Sequence, residues 1–165
     1  AEQSNALSNI IQLVDESCKE VRAVSHSMMP LALSSKGLPQ AVDELMSRVD
    51  KAVITTSFYA EGFHLRSDSN TETILYRVIQ ECISNVLKHA HATNLDVSLI
   101  KDKDGISVTI EDDGRGFHHS ATDGAEGIGL KNMSSRIRFL KGTIDFDSQP
   151  GKGTLVAIHV PDKQS

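Results

Sequence analysis

The stretch ISVTIEDDGRGF, Ile106 to Phe117, runs from an alternating apolar series into two adjacent carboxylates and two glycines. Side chains alternate across the two faces of a strand, so Ile106, Val108 and Ile110 share one face. The next residue on that face is Asp112, whereas Asp113 points the other way, toward solvent. A carboxylate that continues a core-facing series belongs at the cleft end of a sheet and needs a donor there. Gly114 and Gly116 let the backbone turn sharply and leave room for a flat ligand. Taken alone, the pattern also fits a plain hairpin turn or a metal loop.

The flanking segments set this stretch in a fold. LDVSLI and ISVTIE are alternating runs joined by KDKDG, which reads as a hairpin. Downstream, a helix carries Leu130, Met133, Ile137 and Leu140 on its buried side, with Gly142 as its C-cap. TIDFDS, the turn QPGKG and TLVAIHV then form a last hairpin. Upstream, VITTSFYA has strand composition and is followed by the polar loop EGFHLRSDSN. Ser69 with Glu72 reads as a capping box opening a long helix, whose core stripe is Leu75, Val78, Ile79, Cys82 and Val86. Strands mostly in antiparallel pairs, with helices between them, predict an α+β fold: an α/β sandwich of one mixed sheet with helices on one face.

The first residues have a different texture. Leu7, Ile11, Val14, Cys18, Val21, Ser25 and Met28 alternate spacings of four and three, a heptad seam that Ile10 and Val24 widen and Pro30 ends or kinks. It fits an amphipathic helix lying on its own domain, and better a long helix that pairs with a partner helix. A short helix follows KGLPQ, with Pro39 in its first turn and Leu38, Val42, Leu45 and Val49 on one side.

At 165 residues the chain is one ordinary domain with a short appendage. A net charge of -5, from 17 basic and 22 acidic residues, argues against nucleic-acid binding through a basic surface. Cys18 and Cys82 read as reduced, apolar-packed thiols. No apolar run reaches membrane-spanning length, so any membrane attachment would come from segments outside this sequence.

Two further polar groups bear chemistry. Glu81, Asn85 and Lys88 sit at i, i+4 and i+7 of the long helix and line one edge of it. An acid, an amide and an amine there suit a cation and phosphates, or simply a solvated helix edge; magnesium needs few protein oxygens. Gly124, Gly127 and Gly129 in GAEGIGLKNM precede a predicted helix, where unpaired backbone amides can face an anion. GKGT at 151–154 lacks the order of a Walker A loop. The residues between Phe117 and Gly127, His118 and His119 among them, read as a mobile flap, and no histidine pair has zinc spacing.

In this order, ECISNVLKHAHAT, DDGRGF and GIGLKNM resemble the N, G1 and G2 boxes of the ATPase superfamily shared by gyrase, heat-shock protein 90, mismatch-repair MutL and the histidine kinases. SQPGKGTLVAIHVP is similar to the closing hairpin of the kinase branch. EVRAVSHSMMPLALSSKGLPQAVDEL is similar to the second dimerisation helix and linker of nitrate-sensor-like sensor kinases. The resemblance implies a histidine-kinase-type ATPase domain at 37–165, preceded at 1–36 by part of a dimerisation and phosphotransfer domain.

By the same resemblance, Asp112 would accept a hydrogen bond from the adenine amino group, with Thr154 near the base and Gly114, Gly116 and Leu130 around the nucleotide. Asn85 would ligate magnesium, Glu81 would assist the chemistry, and Lys88, Gly127 and Gly129 would contact phosphates. The implied reaction moves the γ-phosphoryl group of ATP to a histidine on the dimerisation domain, for relay to an aspartate of a response regulator. His26 is followed by Ser27 rather than an acid, so the acceptor is expected on a helix upstream of Ala1. Expected partners are a second copy, through the N-terminal helix, and the response regulator; the expected setting is the cytoplasmic part of a membrane-anchored sensor. Two alternatives stay open: a nucleotide-gated interaction module without kinase activity, and a serine kinase of the anti-sigma-factor type.

Overall fold

The computed structural model describes residues 9–14, 29–118 and 125–162, and contacts divide the chain into Ala1–Pro30 and Leu31–Ser165. In the first unit residues 9–14 are helical, with Ile10, Ile11, Leu13 and Val14 exposed. The rest of the expected long helix through Met28, Cys18 and His26 included, lies outside the described residues.

The second unit begins with helices α1 (Leu31–Lys36) and α2 (Leu38–Ser47) and strand β1 (Thr55–Glu61). Helix α3 (Ser69–Asn85) follows and continues into a π-helical turn, Val86–Ala90. Then come β2 (Asn94–Asp102), β3 (Gly105–Asp112), α4 (Ala125–Phe139), β4 (Thr143–Ser148) and β5 (Thr154–Pro161). The strands form one sheet in the order β1-β2-β3-β5-β4, with β1 parallel to β2 and the remaining pairs antiparallel. This is the expected mixed sheet. The single parallel pair exists because α3 carries the chain back across the sheet, whereas short turns join β2 to β3 and β4 to β5 and make those two pairs antiparallel.

Alternation decides which face the helices cover. Leu95, Val97 and Leu99 of β2, Ile106, Val108 and Ile110 of β3, and Val156, Ile158 and Val160 of β5 are all buried. Against them lie Leu75, Val78, Ile79 and Cys82 of α3 and Met133 and Ile137 of α4, in one core with Leu38 and Val42 of α2. The opposite face is polar: Tyr59 is exposed, Ser57 bonds Asp96, and Ser98 and Thr109 pair at 2.5 Å across β2 and β3. Cys82 packs 3.5 Å from the Met133 sulfur, and burial pushes its thiol up to about 12.

Three local expectations change. The N-cap of α3 is Asp68, not Ser69: it is extended and accepts from the Thr71 amide at 3.2 Å. Glu72 therefore makes no capping box; it pairs with Arg66 at 2.6 Å and accepts from the Ser67 amide at 3.2 Å. Helix α4 starts at Ala125, so Gly127 and Gly129 lie inside its first turns rather than before it. It ends in a left-handed residue at Lys141 (φ 57°), one position before the glycine expected to take that role. Gly142 instead donates to the Ile137 carbonyl at 3.0 Å, the closing bond of a Schellman-type stop.

Candidate functional site

Asp112 ends β3 on the core face, 6% exposed, with Leu95 and Thr154 as its neighbours across the two adjoining strands. Its Oδ1 accepts from the Gly114 amide at 2.8 Å. Burial, above all, holds this carboxyl above the usual carboxylate range; the Gly114 N–H opposes the shift, and the charges of Asp113 and Glu111 add to it. No protein donor meets Oδ2 among the described residues. Thr154 is half-buried, and its hydroxyl lies 2.8 Å from that of Ser148.

The turn after Asp112 is fixed from two sides. The Arg115 amide donates to the Ala90 carbonyl at 2.7 Å, and the Gly151 amide donates to the Arg115 carbonyl at 2.7 Å. The chain is therefore clamped between the end of the α3 segment and the β4–β5 hairpin. Both glycines are sterically required: a Cβ on Gly114 would strike the Ala90 carbonyl, and one on Gly116 (φ 62°) would strike the Gln149 carbonyl. Asp113, read from sequence as merely solvent-facing, accepts from the amides of Thr93 and Asn94, both at 2.8 Å. It also takes the Thr93 hydroxyl at 2.6 Å and the Asn94 side-chain amide at 2.7 Å. The Thr93 hydroxyl first, and then Asn94, hold its carboxyl well below the usual range.

The second group lies on α3 and beyond it. Glu81 is exposed, Asn85 is half-buried at the last α-helical position, and Lys88 is exposed within the π turn. That turn shifts Lys88 from the regular i+7 position, and one-turn π-bulges of this kind recur at functional sites. The third group opens α4: Gly127 is buried, while Gly129 and Leu130 are half-buried. Glu81 Oε1 lies 3.8 Å from where a Cβ on Gly129 would stand, so the acid of α3 reaches the first turns of α4. The structure thus joins Asp112, Gly114 and Thr154 at one strand end and sets Glu81 beside Gly129. Ala90 links the Asp112 loop to the helix bearing Asn85. Asn85 and Lys88 form no hydrogen bond with the other candidates among the described residues. Of the expected flap, residues 119–124 lie outside the described residues. Ser148, 5% exposed, was missed; its facing Thr154 across the hairpin register was the signal available.

A family of histidine kinase-, DNA gyrase B-, and HSP90-like ATPases matches residues 70–164. The chain is 32% identical over 143 residues to the oxygen sensor histidine kinase NreB of Staphylococcus carnosus, a match covering 86% of this chain and 41% of that protein. It is also 32% identical over 151 residues to the sensor histidine kinase MctS of Rhizobium johnstonii, covering 90% of this chain and 33% of that protein. The chain therefore spans less than half the length of these relatives. Among solved structures it is similar to the Acinetobacter baumannii histidine kinase AdeS, with a TM-score of 0.57 at 21% identity over 97% of this chain and 84% of that one. The ATP binding domain of PrrB from Mycobacterium tuberculosis gives a TM-score of 0.55 at 18% identity, over 77% of this chain and 92% of that one. At these identities the structural likeness speaks for the fold alone.

Proposed function

This chain belongs to the histidine kinase-, DNA gyrase B-, and HSP90-like ATPase family, and on that premise we propose that it is the ATP-binding catalytic part of a two-component sensor histidine kinase of the nitrate-sensor-like branch. The γ-phosphoryl group would pass to a histidine of the dimerisation domain and onward to a response regulator aspartate. The observation that carries this reading is the buried Asp112 carboxylate, set beside Thr154 in a loop fastened to the Asn85 helix.

Each residue then has a task. The Asp112 carboxylate accepts from the adenine amino group while the Thr154 hydroxyl lies next to the base. Gly114 and Gly116 keep that loop close enough to its neighbours for a flat ring to enter, and Leu130 supplies apolar contact. Lys88 and the amides around Gly127 and Gly129 hold phosphate oxygens. Glu81, exposed and near Gly129, orients the attacking group. Phosphoryl transfer asks a protein mainly for positioning and charge neutralisation.

The residues fit magnesium as a shared ligand rather than a caged one. No group of three or more His, Cys, Asp and Glu able to hold a metal occurs among the described residues, so the Asn85 amide oxygen would complete a shell made largely of phosphate oxygens and waters. When bound, the cation neutralises phosphate charge.

Calorimetric titration with ADP and magnesium tests the reading. Asp112→Ala and Asn85→Ala are each expected to weaken binding by about tenfold or more, the loss of one charge-assisted contact; normal affinity in both would overturn it. With γ-labelled ATP the chain should take up little label, because His26 lacks an acidic neighbour. Acid-labile, base-stable label on His26 would reassign the acceptor.

A further inference from the structure

Asp113 follows the adenine acceptor proposed above but has no task in that reading; it is exposed, and alternation turns it away from Asp112. Its partners lie on the segment that leaves the π turn. Oδ1 accepts from the amides of Thr93 and Asn94, each at 2.8 Å. Oδ2 takes the Thr93 hydroxyl at 2.6 Å and the Asn94 side-chain amide at 2.7 Å. Beside it, the Arg115 amide donates to the Ala90 carbonyl at 2.7 Å. Residues 90–94 and 113–115 are therefore buckled together at both ends. The need for a buckle is local. The π turn Val86–Ala90 runs directly into His91, whose φ of 51° is left-handed. Both conformations are unfavourable by themselves and persist only where the surroundings impose them. Once released, this segment would relax toward a regular helix end, and Lys88, in the middle of the turn, would leave its place. Asp112 would stay, because its neighbours are the strands on either side and its own bond is to the Gly114 amide.

We propose that Asp113 is a positioning residue that holds the π turn, and with it Lys88, in fixed register with Asp112, so that one nucleotide meets its base and phosphate contacts together. This inference rests on the nucleotide reading of the crevice and adds to it what ties the two ends of the site to each other. Loss of Asp113 then costs phosphate affinity and spares the base. A direct effect of its charge has the opposite sign, because removing an anion strengthens the binding of a polyphosphate.

NMR titrations of the whole chain with Mg-ADP and with adenosine separate the two ends of the site. Asp113→Ala should weaken Mg-ADP binding by about five- to tenfold and adenosine binding by less than about twofold. Asp113→Asn removes the charge but keeps an oxygen for the two backbone amides, so it should bind Mg-ADP within about threefold of the unmodified chain. From the other side of the buckle, Thr93→Val combined with Asn94→Ala removes both side-chain donors while the backbone amides remain. That variant should show the same ADP-selective loss, at about two- to fivefold. No Mg-ADP binding by the unmodified chain would overturn the reading of the crevice itself. Equal losses for ADP and adenosine, tighter ADP binding by Asp113→Ala, or an Asp113→Asn chain as weak as Asp113→Ala would overturn the role of Asp113 alone. If Asp113→Ala does not fold, the Thr93 and Asn94 variant decides the matter; if neither folds, the acid is structural and the proposal fails.

Discussion

Asp112 and Asp113 are joined by one peptide bond yet titrate in opposite directions. Burial lifts Asp112, while four hydrogen bonds from Thr93 and Asn94 depress Asp113. A carboxyl raised in the native state costs stability when ionised, and that cost fades as pH falls from its native value toward the unfolded value of about 4. A depressed carboxyl contributes stability that is present above about 4 and is lost as pH drops below it toward the native value. Asp112→Asn should therefore stabilise the chain at neutral pH by about 1 kcal/mol while losing nucleotide. Asp113→Asn should destabilise it there. Urea unfolding at a series of acid pH values should show the first difference closing above the ordinary aspartate value and the second below it; an Asp112→Asn chain less stable at neutral pH would reverse the assignment. The sequence allowed only half of this to be read. Alternation is a property of the strand itself, so Ile106, Val108 and Ile110 located Asp112; the donors to Asp113 lie 19 and 20 residues away and depend on hairpin register.

At the scale of elements, the ends were harder to read than the bodies. The stripe Leu75, Val78, Ile79, Cys82 and Val86 is buried as its spacing required. The start of the same helix was misplaced by one residue because Asp68 and Ser69 are both good caps and only the backbone conformation of Asp68 chooses between them. The π turn at Val86–Ala90 has no residue pattern of its own. The end of α4 shows how a glycine can mislead. Lys141 bears the positive φ, whereas Gly142 is small because a Cβ there would lie 2.5 Å from the His159 carbonyl oxygen. Exchanging the two demands gives a signed pair of outcomes. Lys141→Gly should raise stability by about 0.5–1 kcal/mol by relieving the left-handed strain. Gly142→Ala should lower it by about 2 kcal/mol, since backbone on β5 must move. Thermal melting of both variants is the check, and equal effects of one sign would mean that φ, not space, governs both positions.

Across the whole domain, one side chain joins segments that the sheet does not connect. Arg66 grips Glu72 in the first turn of α3 through Nε at 3.0 Å and Nη2 at 2.6 Å. The same guanidinium donates to the Leu33 carbonyl at 2.9 Å and the Ser34 carbonyl at 3.3 Å, near the C-terminal end of α1. Lys101 of β2 completes the assembly by donating to the Leu65 carbonyl at 3.0 Å and the Ser67 hydroxyl at 2.9 Å. Helix α1, the loop after β1, the start of α3 and the end of β2 thus share a polar joint beside a core that is otherwise apolar. Glu72 is the costly member: its side chain is 4% exposed, whereas that of Arg66 is 48% exposed. Breaking a fully buried pair costs about 3–5 kcal/mol, but solvent at Arg66 screens this one, so Arg66→Ala should cost about 1–3 kcal/mol. Arg66→Lys keeps the charge and loses the planar fork that reaches Glu72 and both carbonyls at once, so it should recover less than half of that loss. The cost arises from stranding a carboxylate, so Glu72→Gln added to Arg66→Ala should restore stability in part. Urea midpoints with unchanged slopes would measure all three. Full recovery by lysine would mean that charge alone holds the joint, and an Arg66→Ala chain as stable as the original would mean that α1 and α3 are held together by their apolar contacts without it.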